Sequence, residues 1–372
     1  MTRFVLTWLS TAAGGAERSV GELAGALAAA GHQVTLVWWD ATGTDGSRPA
    51  DQRVTVYRVA NLSGYRAAVR TAVGSGGGSV MIGTHRTMLV DVAMAQHYDV
   101  PVIVVVRALL LAEGRLRILD ETSGQLEART PHELNWEVLA EADCWVGVST
   151  AATRCLLDRA PGGIRVERIY NGVPIGARSP LRTPHRVRHI GVAARAEPWK
   201  RLDRLFTGFA SVPRHLAARL RVHVFGEGPE LPRLRRQAQE LRVADRTVYH
   251  GHVGPGWTQS CDVLVSTCEI EAFGRVVVEA GTAGLPQVVP DQGGTAELVV
   301  PGMTGLHYDV QDPAALTRAL ATVAEWSPAE YHRYSTAARA HAHRFSLTAC
   351  SAAYARLAAD LLTGRHDENA IS

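Results

Sequence analysis

The chain has 372 residues, 46% of them hydrophobic, and a net charge of +3 that results from 39 basic and 36 acidic side chains. This length and apolar content exceed what one ordinary core needs and predict two domains. The basic residues are scattered and form no runs, so the sequence carries no sign of a nucleic-acid-binding surface.

The first half of the chain alternates apolar runs with helical periods. Its first run, FVLTWL, resembles the start of a signal peptide, but it is brief, contains Thr7 and leads into the helix-like stretch from Glu17 to Ala30, so we predict a first strand. The runs HQVTLVWW, SVMIGT, VPVIVVV and CWVGVS follow. Runs that are apolar on both faces and separated by helices predict a parallel sheet covered on both sides, which is a doubly wound α/β domain.

A second α/β series follows a proline-containing segment. From Tyr170 the sequence continues NGVPIGARSPLRTPHRV, which predicts a linker. The runs RHIGVAA, RLRVHVFG, RTVYHG, CDVLVST and LPQVVP then predict the strands of a second sheet. Two such halves usually place an active site in the cleft between them.

The five cysteines and the apolar runs indicate a cytoplasmic protein. The cysteines form no CxxC pair and no Cys/His metal spacing, and an odd number cannot all pair internally, so we interpret them as core residues of a reduced protein. No run approaches the ~20 apolar residues that a membrane-spanning helix needs. We expect no stable membrane insertion.

Glycines follow the first predicted strand. Gly14 and Gly15 precede a helix, where bare backbone lets an anion approach the amide groups. A tight turn explains the pair equally well.

Two carboxylates in the second half of the chain form a more specific pattern than the glycine pair of the first half. We place Glu271 at the end of a strand, Phe273 and Gly274 at a turn, and Glu279 in the following helix. In a helix their spacing corresponds to ~12 Å along the axis, which suits a nucleotide sugar with its diphosphate at the helix N-terminus. Alternatively, Glu279 lies on a solvated helix face and Glu271 is a surface acid, and Glu269 shows that acids here can be incidental.

These residues resemble a family signature. Glu-x7-Glu with an embedded Phe-Gly, a following Gly-Leu-Pro turn and GGTAELV are similar to the signature of the retaining glycosyltransferases of family 4. GVAARAEPWKRLDRLF is similar to the segment in which that family's arginine and lysine bind the donor diphosphate, here Arg195 and Lys200. The likeness is spread over most of Ile164 to Leu306 and is much thinner before Glu141.

The resemblance implies a GT-B architecture, in which two doubly wound Rossmann-like domains face each other across a cleft. It implies an acceptor-binding domain over residues 1–175, completed by a C-terminal helix at about 346–364, and a donor-binding domain over residues 176–345.

The resemblance also implies a reaction. A hexose-type sugar moves with retention from a nucleoside-diphosphate sugar, most simply a UDP-sugar, to a small polar acceptor such as an aminocyclitol of specialised metabolism. Arg195, Lys200, the backbone around Ala272, Phe273, Gly274 and Arg275, and the amides of Gly14 and Gly15 would stabilise the leaving diphosphate, Glu271 would orient the sugar, and Glu279 would bind the ribose. Because the chain has no Asp-x-Asp motif, we expect no metal and no further cofactor.

Lys200 is the only lysine among 39 basic side chains. An ammonium is compact, whereas a guanidinium is a wide planar fork, so a narrow phosphate pocket that already holds Arg195 could retain a lysine for its shape. A stray lysine is the alternative.

Two departures from the family pattern concern the reacting sugar and the base. The family commonly has a histidine after the strand VPVIVVV, where this chain has Arg107; His85, after the preceding strand, is the alternative polar group. GHVGPGWTQSCDV is shorter than the family's segment, and we predict that the backbone of His252 and Val253 contacts the base.

Three other functions stay open at this point. An oxidoreductase would use the early glycines and Asp40 for a dinucleotide, although G-x-G-x-x-G is missing. A nucleotide-sugar epimerase would use the same fold without an acceptor. A non-catalytic sugar-binding module would be expected to lose one of Arg195, Lys200, Glu271 or Glu279, and all four are present.

Overall fold

A computed structural model describes residues 1–10, 14–40, 51–74, 78–109, 115–120, 122–176, 181 and 186–371. The chain divides into two compact units, which we name unit 1 (Met1–Pro174 and Phe345–Ser372) and unit 2 (Ile175–Arg344). Residues 177–180 and 182–185 of the predicted linker lie outside the described residues.

Unit 1 alternates strands and helices. Its strands are Arg3–Ser10 (β1), Gln33–Asp40 (β2), Thr55–Val59 (β3), Ser79–Thr84 (β4), Val102–Val106 (β5), Leu116–Leu119 (β6), Leu126–Arg129 (β7), Cys144–Gly147 (β8) and Val166–Arg168 (β9). Its first helices are Gly15–Ala29 (α1), Leu62–Val73 (α2), Met88–His97 (α3), Trp136–Ala140 (α4) and Thr150–Leu157 (α5). Among the described residues, seven of the strands form a parallel sheet in the order β3-β2-β1-β4-β5-β8-β9.

Burial explains which of these strands the sequence predicts. Every residue of β4 and β5 is buried, so these central strands are continuous apolar runs. In contrast, β3 lies at the sheet edge and no residue of it is fully buried. Its sequence, TVYRV, is therefore too polar to stand out as a strand of a covered sheet.

An antiparallel hairpin, β6–β7, interrupts the α/β alternation of unit 1 and was not predicted. It packs against α3. The Arg129 guanidinium forms ion pairs with Asp120 at 2.9 Å and with Glu127 at 2.8 Å. The pair with Asp120 joins the end of β7 to the turn between the two strands.

Unit 2 is a second α/β sheet. Its strands are His189–Ala193 (β10), Arg221–Phe225 (β11), Thr247–Gly251 (β12), Val263–Val265 (β13), Gln287–Pro290 (β14) and Gly305–Tyr308 (β15). Its helices are Leu202–Ala210 (α6), Arg214–Ala217 (α7), Leu231–Glu240 (α8), Arg275–Thr282 (α9), Gly293–Ala296 (α10), Ala315–Glu325 (α11) and Pro328–Ala342 (α12). Six strands of the described chain pair in parallel in the order β12-β11-β10-β13-β14-β15.

Helix packing closes both units. In unit 2, α6 buries Leu205, Phe206 and Phe209 completely and packs against α11, which buries Leu320 and Val323 in the same core. The last helix, Leu347–Ile371 (α13), packs against α1 of unit 1. Two Rossmann-like parallel sheets confirm the predicted GT-B fold class.

Candidate active site

Two neighbouring loops of unit 2 carry the predicted donor residues. Because β10 and β13 pair in parallel, the loops that follow them start from the same edge of the sheet. Arg195 and Lys200 lie in the loop after β10, which contains a short 3-10 helix at Pro198–Lys200. Glu271 lies in the loop between β13 and α9. Parallel pairing therefore brings together segments that are far apart in sequence.

Lys200 and Glu271 contact each other directly. The Lys200 ammonium donates a hydrogen bond to the Glu271 carboxylate, and the two groups form an ion pair. The ammonium also lies 4.0 Å from the centroid of the Trp199 ring, a cation–π distance. The Lys200 and Glu271 side chains are 15% and 23% exposed, so the pair is shielded but keeps access to solvent.

The predicted location of Glu271 is wrong in one respect. The strand β13 ends at Val265, so Glu271 lies within the loop and not at the strand end. Of the predicted Glu-x7-Glu span, only the part from Arg275 onwards is helical, so the 12 Å helical separation does not apply. The helix does begin between the two carboxylates, as predicted.

Backbone contacts fix the Glu271 loop. The amide of Gly294, at the start of α10, donates a 2.6 Å hydrogen bond to the Glu271 carbonyl. Gly274 has φ +92°, and a Cβ at this position would lie 2.5 Å from Cγ2 of Thr295, so glycine is required where the loop turns into α9. The motif residues Phe-Gly and GGTAEL therefore act together in shaping this loop.

Glu269 is not incidental, contrary to the sequence-based interpretation. Its carboxylate forms ion pairs with Arg204 at 2.8 Å and Arg201 at 4.0 Å, which tie the start of α6 to the loop after β13. Arg201, directly after Lys200, has φ +51°, a left-handed conformation that costs a non-glycine residue about 1–2 kcal/mol. The contacts of Arg201 with Glu269 and with Asp203 at 3.3 Å help to hold this turn.

Arg195 lies in the same loop as Lys200 but has a different partner. Its guanidinium pairs with the Glu197 carboxylate at 2.5 Å and is 52% exposed. The backbone beside it is held by the turn after β11, where the amide of Ala196 donates to the Glu227 carbonyl at 2.8 Å. Gly226 in that turn has φ +131°, and a Cβ there would lie 2.0 Å from the Ala194 carbonyl oxygen.

Helix α9 begins between Glu271, the predicted sugar-binding residue, and Glu279, the predicted ribose-binding residue. Ala272 and Phe273 are buried at its start, and Arg275 is its first residue. Glu279, one turn later, lies 3.6 Å from the Arg275 guanidinium, and its side chain is 18% exposed. A helix N-terminus stabilises negative charge, which fits a diphosphate.

The predicted base contacts lie at the end of β12. The amide of His252 donates to the Glu227 carboxylate at 3.3 Å, whereas Val253 is partly exposed. A base that uses the His252 amide would have to replace Glu227, so the contact of His252 and Val253 with a base stays a prediction.

In unit 1, Gly14 is the N-cap of α1 and Gly15 its first residue. The Glu17 carboxylate lies beside Gly14, because a Cβ on Gly14 would be 2.9 Å from its Oε2 atom. Glu17 is 5% exposed and pairs with Arg86 at 3.7 Å. A phosphate at this helix N-terminus would therefore lie against a carboxylate, and the role of Gly14 and Gly15 stays a prediction.

His85 and Arg107 follow the adjacent strands β4 and β5 of unit 1. The Arg107 guanidinium donates a hydrogen bond to the Asn171 side-chain oxygen, a partner that the sequence did not single out. Burial, with the positive charges of Arg86 and Arg107, lowers the pKa of His85 to about 3, so its imidazole is neutral at pH 7. The side chains of His85 and Arg107, the two candidates for the polar group near the reacting sugar, therefore lie at the same edge of the sheet.

The described residues include no cluster of metal-ligating side chains and no membrane-spanning helix. Within that part of the chain, no three His, Cys, Asp or Glu side chains form a group that could hold a metal ion. No described helix is long and apolar enough to cross a membrane. The five cysteines all lie in described segments, and none of them forms a disulfide.

Two family models match the chain and together span most of it. Residues 13–176 match the model described as Glycosyltransferase Family 4, and residues 177–341 match Glycosyl transferases group 1. The chain is a GT-B glycosyltransferase of the family 4 type. This membership agrees with the two Rossmann-like sheets and favours a transferase over an oxidoreductase.

Individual glycosyltransferases show how far the similarity extends. A glycogen synthase of Mycobacterium tuberculosis is 29% identical over 88% of this chain and 86% of its own length. A GDP-mannose-dependent alpha-mannosyltransferase of the same species is 32% identical over 53% of this chain and 51% of its own length.

Solved GT-B structures share the fold over nearly the whole length. Anabaena HepE in complex with UDP has a TM-score of 0.73 at 19% identity and covers 97% of this chain and 100% of its own. Sucrose-phosphate synthase from Thermosynechococcus elongatus has a TM-score of 0.78 at 18% identity and covers 98% and 100%. At these identities the likeness concerns the fold alone.

Proposed function

We propose that this glycosyltransferase transfers a hexose-type sugar, with retention of anomeric configuration, from a UDP-sugar to a small polar acceptor. A role in the biosynthesis of a specialised metabolite, such as an aminocyclitol derivative, fits this acceptor class. Unit 2 binds the donor and unit 1 the acceptor.

The observation that carries the proposal is the contact between Lys200 and Glu271. The only lysine of the chain and the first carboxylate of the Glu-x7-Glu motif meet at the carboxyl edge of the donor sheet. When a donor binds, Lys200 exchanges part of its contact with Glu271 for the diphosphate, and Glu271 turns to the hydroxyl groups of the sugar. An ammonium that faces the departing diphosphate stabilises the charge that develops in the transition state.

The remaining donor contacts come from the same loops and from α9. Arg195 is half exposed and available for a second phosphate oxygen once it leaves Glu197. The amides at the start of α9 face negative charge favourably, and Glu279 accepts hydrogen bonds from the ribose. Because these groups supply the positive charge, the proposed reaction needs no metal.

Separate observations support the choice of the base and of the acceptor. UDP is favoured because UDP occupies the HepE structure of the same fold, whereas the mannosyltransferase relative is GDP-mannose-dependent. On the acceptor side, Arg107 and the neutral imidazole of His85 offer hydrogen bonds to a polar acceptor. The leaving phosphate accepts the acceptor's proton as the new bond forms on the same face.

A release assay tests the function as a whole. Purified protein is incubated in EDTA with UDP-glucose, GDP-mannose or dTDP-glucose, each with and without a panel of aminocyclitols and sugars, and nucleoside diphosphate release and the configuration of the product are measured. The proposal predicts release from the UDP-sugar that depends on an acceptor, with retention. Conversion of the donor sugar to its epimer without any acceptor would establish the epimerase alternative, and inversion would contradict the retaining mechanism.

A further inference from the structure

We propose that Thr267 is a positioning residue for Lys200, because its buried hydroxyl fixes the backbone turn from which the ammonium reaches the donor diphosphate. This inference rests on the proposed function of Lys200 in donor binding.

The 3-10 turn Pro198–Lys200, which we name the Lys200 turn, is held by two consecutive side chains that contact two of its consecutive carbonyls. Thr267, in the loop after β13, is 2% exposed, and its hydroxyl donates a 2.8 Å hydrogen bond to the Lys200 carbonyl. Cys268 is 3% exposed, and its thiol donates to the Trp199 carbonyl at a distance of 3.5 Å. The turn is thereby fastened to the loop that also carries Glu271.

The Lys200 turn depends on such outside contacts. It is a single 3-10 turn, a weakly bonded structure, and it runs directly into the left-handed Arg201. The last carbonyls of a helical turn lack partners within the helix, so an external donor decides where the turn lies. Because the lysine side chain is long and flexible, the position of its backbone and the Trp199 ring together set the direction of the ammonium.

A purely structural role of Thr267 makes a different prediction from a positioning role. A structural hydroxyl contributes to stability alone, whereas a positioning hydroxyl changes ligand affinity through Lys200. Thr317 offers a matched control in the same unit, since its hydroxyl donates to the Gly208 carbonyl at 3.1 Å between α11 and α6.

The test is a calorimetric titration of the full chain with UDP, in EDTA and well below the unfolding temperature. We expect Thr267→Val to raise the dissociation constant about fivefold, the effect of one net hydrogen bond. Thr267→Ser keeps the hydroxyl and should stay near the wild-type value, and Thr317→Val should lower the unfolding temperature while leaving the dissociation constant unchanged. Cys268→Ala removes the second anchor and replaces Thr267→Val if that variant does not fold.

A double-mutant cycle shows whether the effect passes through Lys200. In a Lys200→Ala background, Thr267→Val should cause no further loss of affinity. Wild-type affinity of Thr267→Val, or an equal loss in the Lys200→Ala background, would overturn the positioning role alone. A wild-type protein that binds no UDP, or Lys200→Ala that binds as tightly as wild type, would instead remove the proposed function of Lys200 and this inference with it.

Discussion

At the scale of single residues, the most specific prediction concerns the shape of the Lys200 side chain. The side chain is only 15% exposed and fits between the Glu271 carboxylate and the Trp199 ring. A guanidinium is wider and planar, so Lys200→Arg keeps the charge but not the fit. We expect kcat/KM for the donor to fall at least tenfold, or ~1.4 kcal/mol in transition-state stabilisation, with little change in unfolding temperature. Steady-state kinetics measure this, and wild-type values in the variant would show that lysine is not retained for its shape.

Substitutions of the two motif carboxylates, Glu271 and Glu279, should have different effects on binding and turnover. Glu279→Gln should raise the dissociation constant for the free nucleoside diphosphate, because the ribose loses a charged acceptor. Glu271→Gln should mainly lower kcat, because the sugar is less well oriented. Calorimetry and steady-state kinetics on the two variants distinguish the roles. Changes confined to the unfolding temperature in both variants would identify the carboxylates as structural.

At the scale of elements, a turn in unit 2 supports the segment that carries Arg195. A methyl group at Gly226 would lie 2.0 Å from the Ala194 carbonyl oxygen, so Gly226→Ala must displace the turn after β11 or the segment at Arg195. Gly302→Ala is a matched control, since Gly302 also has positive φ (+77°) but no atom within 4 Å of the added Cβ. We expect the control to cost about 1 kcal/mol and Gly226→Ala clearly more. Denaturant unfolding measures both, and equal losses would contradict the close contact.

A buried carboxyl group links β1, α2 and α3 in unit 1. Asp91 is fully buried and accepts hydrogen bonds from Thr7 at 2.8 Å and Tyr65 at 2.5 Å. Burial raises the pKa of Asp91 to about 6 from its ordinary 3.8, because the charged form loses its hydration.

The raised pKa of Asp91 predicts a pH dependence of stability. The folded state binds the proton more tightly, so this group's contribution is present below pH 4 and is lost as pH rises through 6, an effect of about 3 kcal/mol. His85 acts in the opposite direction, since its lowered pKa costs stability as pH falls below 6.5. The measurement is therefore the difference between wild type and Asp91→Asn in urea unfolding from pH 4 to 7. A difference that does not change with pH would contradict the raised pKa.

At the scale of the whole molecule, continuous apolar runs made the two sheets predictable. Each run named in the sequence became a strand. Most of these strands are central and are apolar along their length because the sheet is covered on both faces, whereas RTVYHG became the edge strand β12, which has no fully buried residue. The hairpin β6–β7, the edge strand β3 and the short strands β9 and β15 were missed. The strands β3, β7 and β9 contain no fully buried residue, β15 is buried only at its two ends, and β6 is interrupted by the exposed Arg117, so none of them is a continuous apolar run.

Residues of the candidate site could be predicted where they belong to a motif with many recognisable positions. They could not be predicted where contacts between segments distant in sequence determine the geometry. Parallel pairing of β10 with β13 brought Lys200 to Glu271, two residues that the resemblance assigned to the donor, although their direct contact was not predicted. The partners Glu197, Glu269 and Thr267 could not be found from sequence, because each acts through a contact that exists only in the folded chain. A hydroxyl that donates to a carbonyl in another loop leaves no spacing to recognise.

The central claim is that unit 2 binds a nucleoside diphosphate through Lys200 without metal. The most direct measurement is calorimetric titration of wild type and Lys200→Ala with UDP, GDP and dTDP in EDTA, with NADH as the competing ligand. We predict micromolar binding of one diphosphate, UDP, by the wild type and binding that is weaker by at least tenfold, but still measurable, in Lys200→Ala. Binding of NADH alone, or equal binding of the diphosphate by both proteins, would contradict the account.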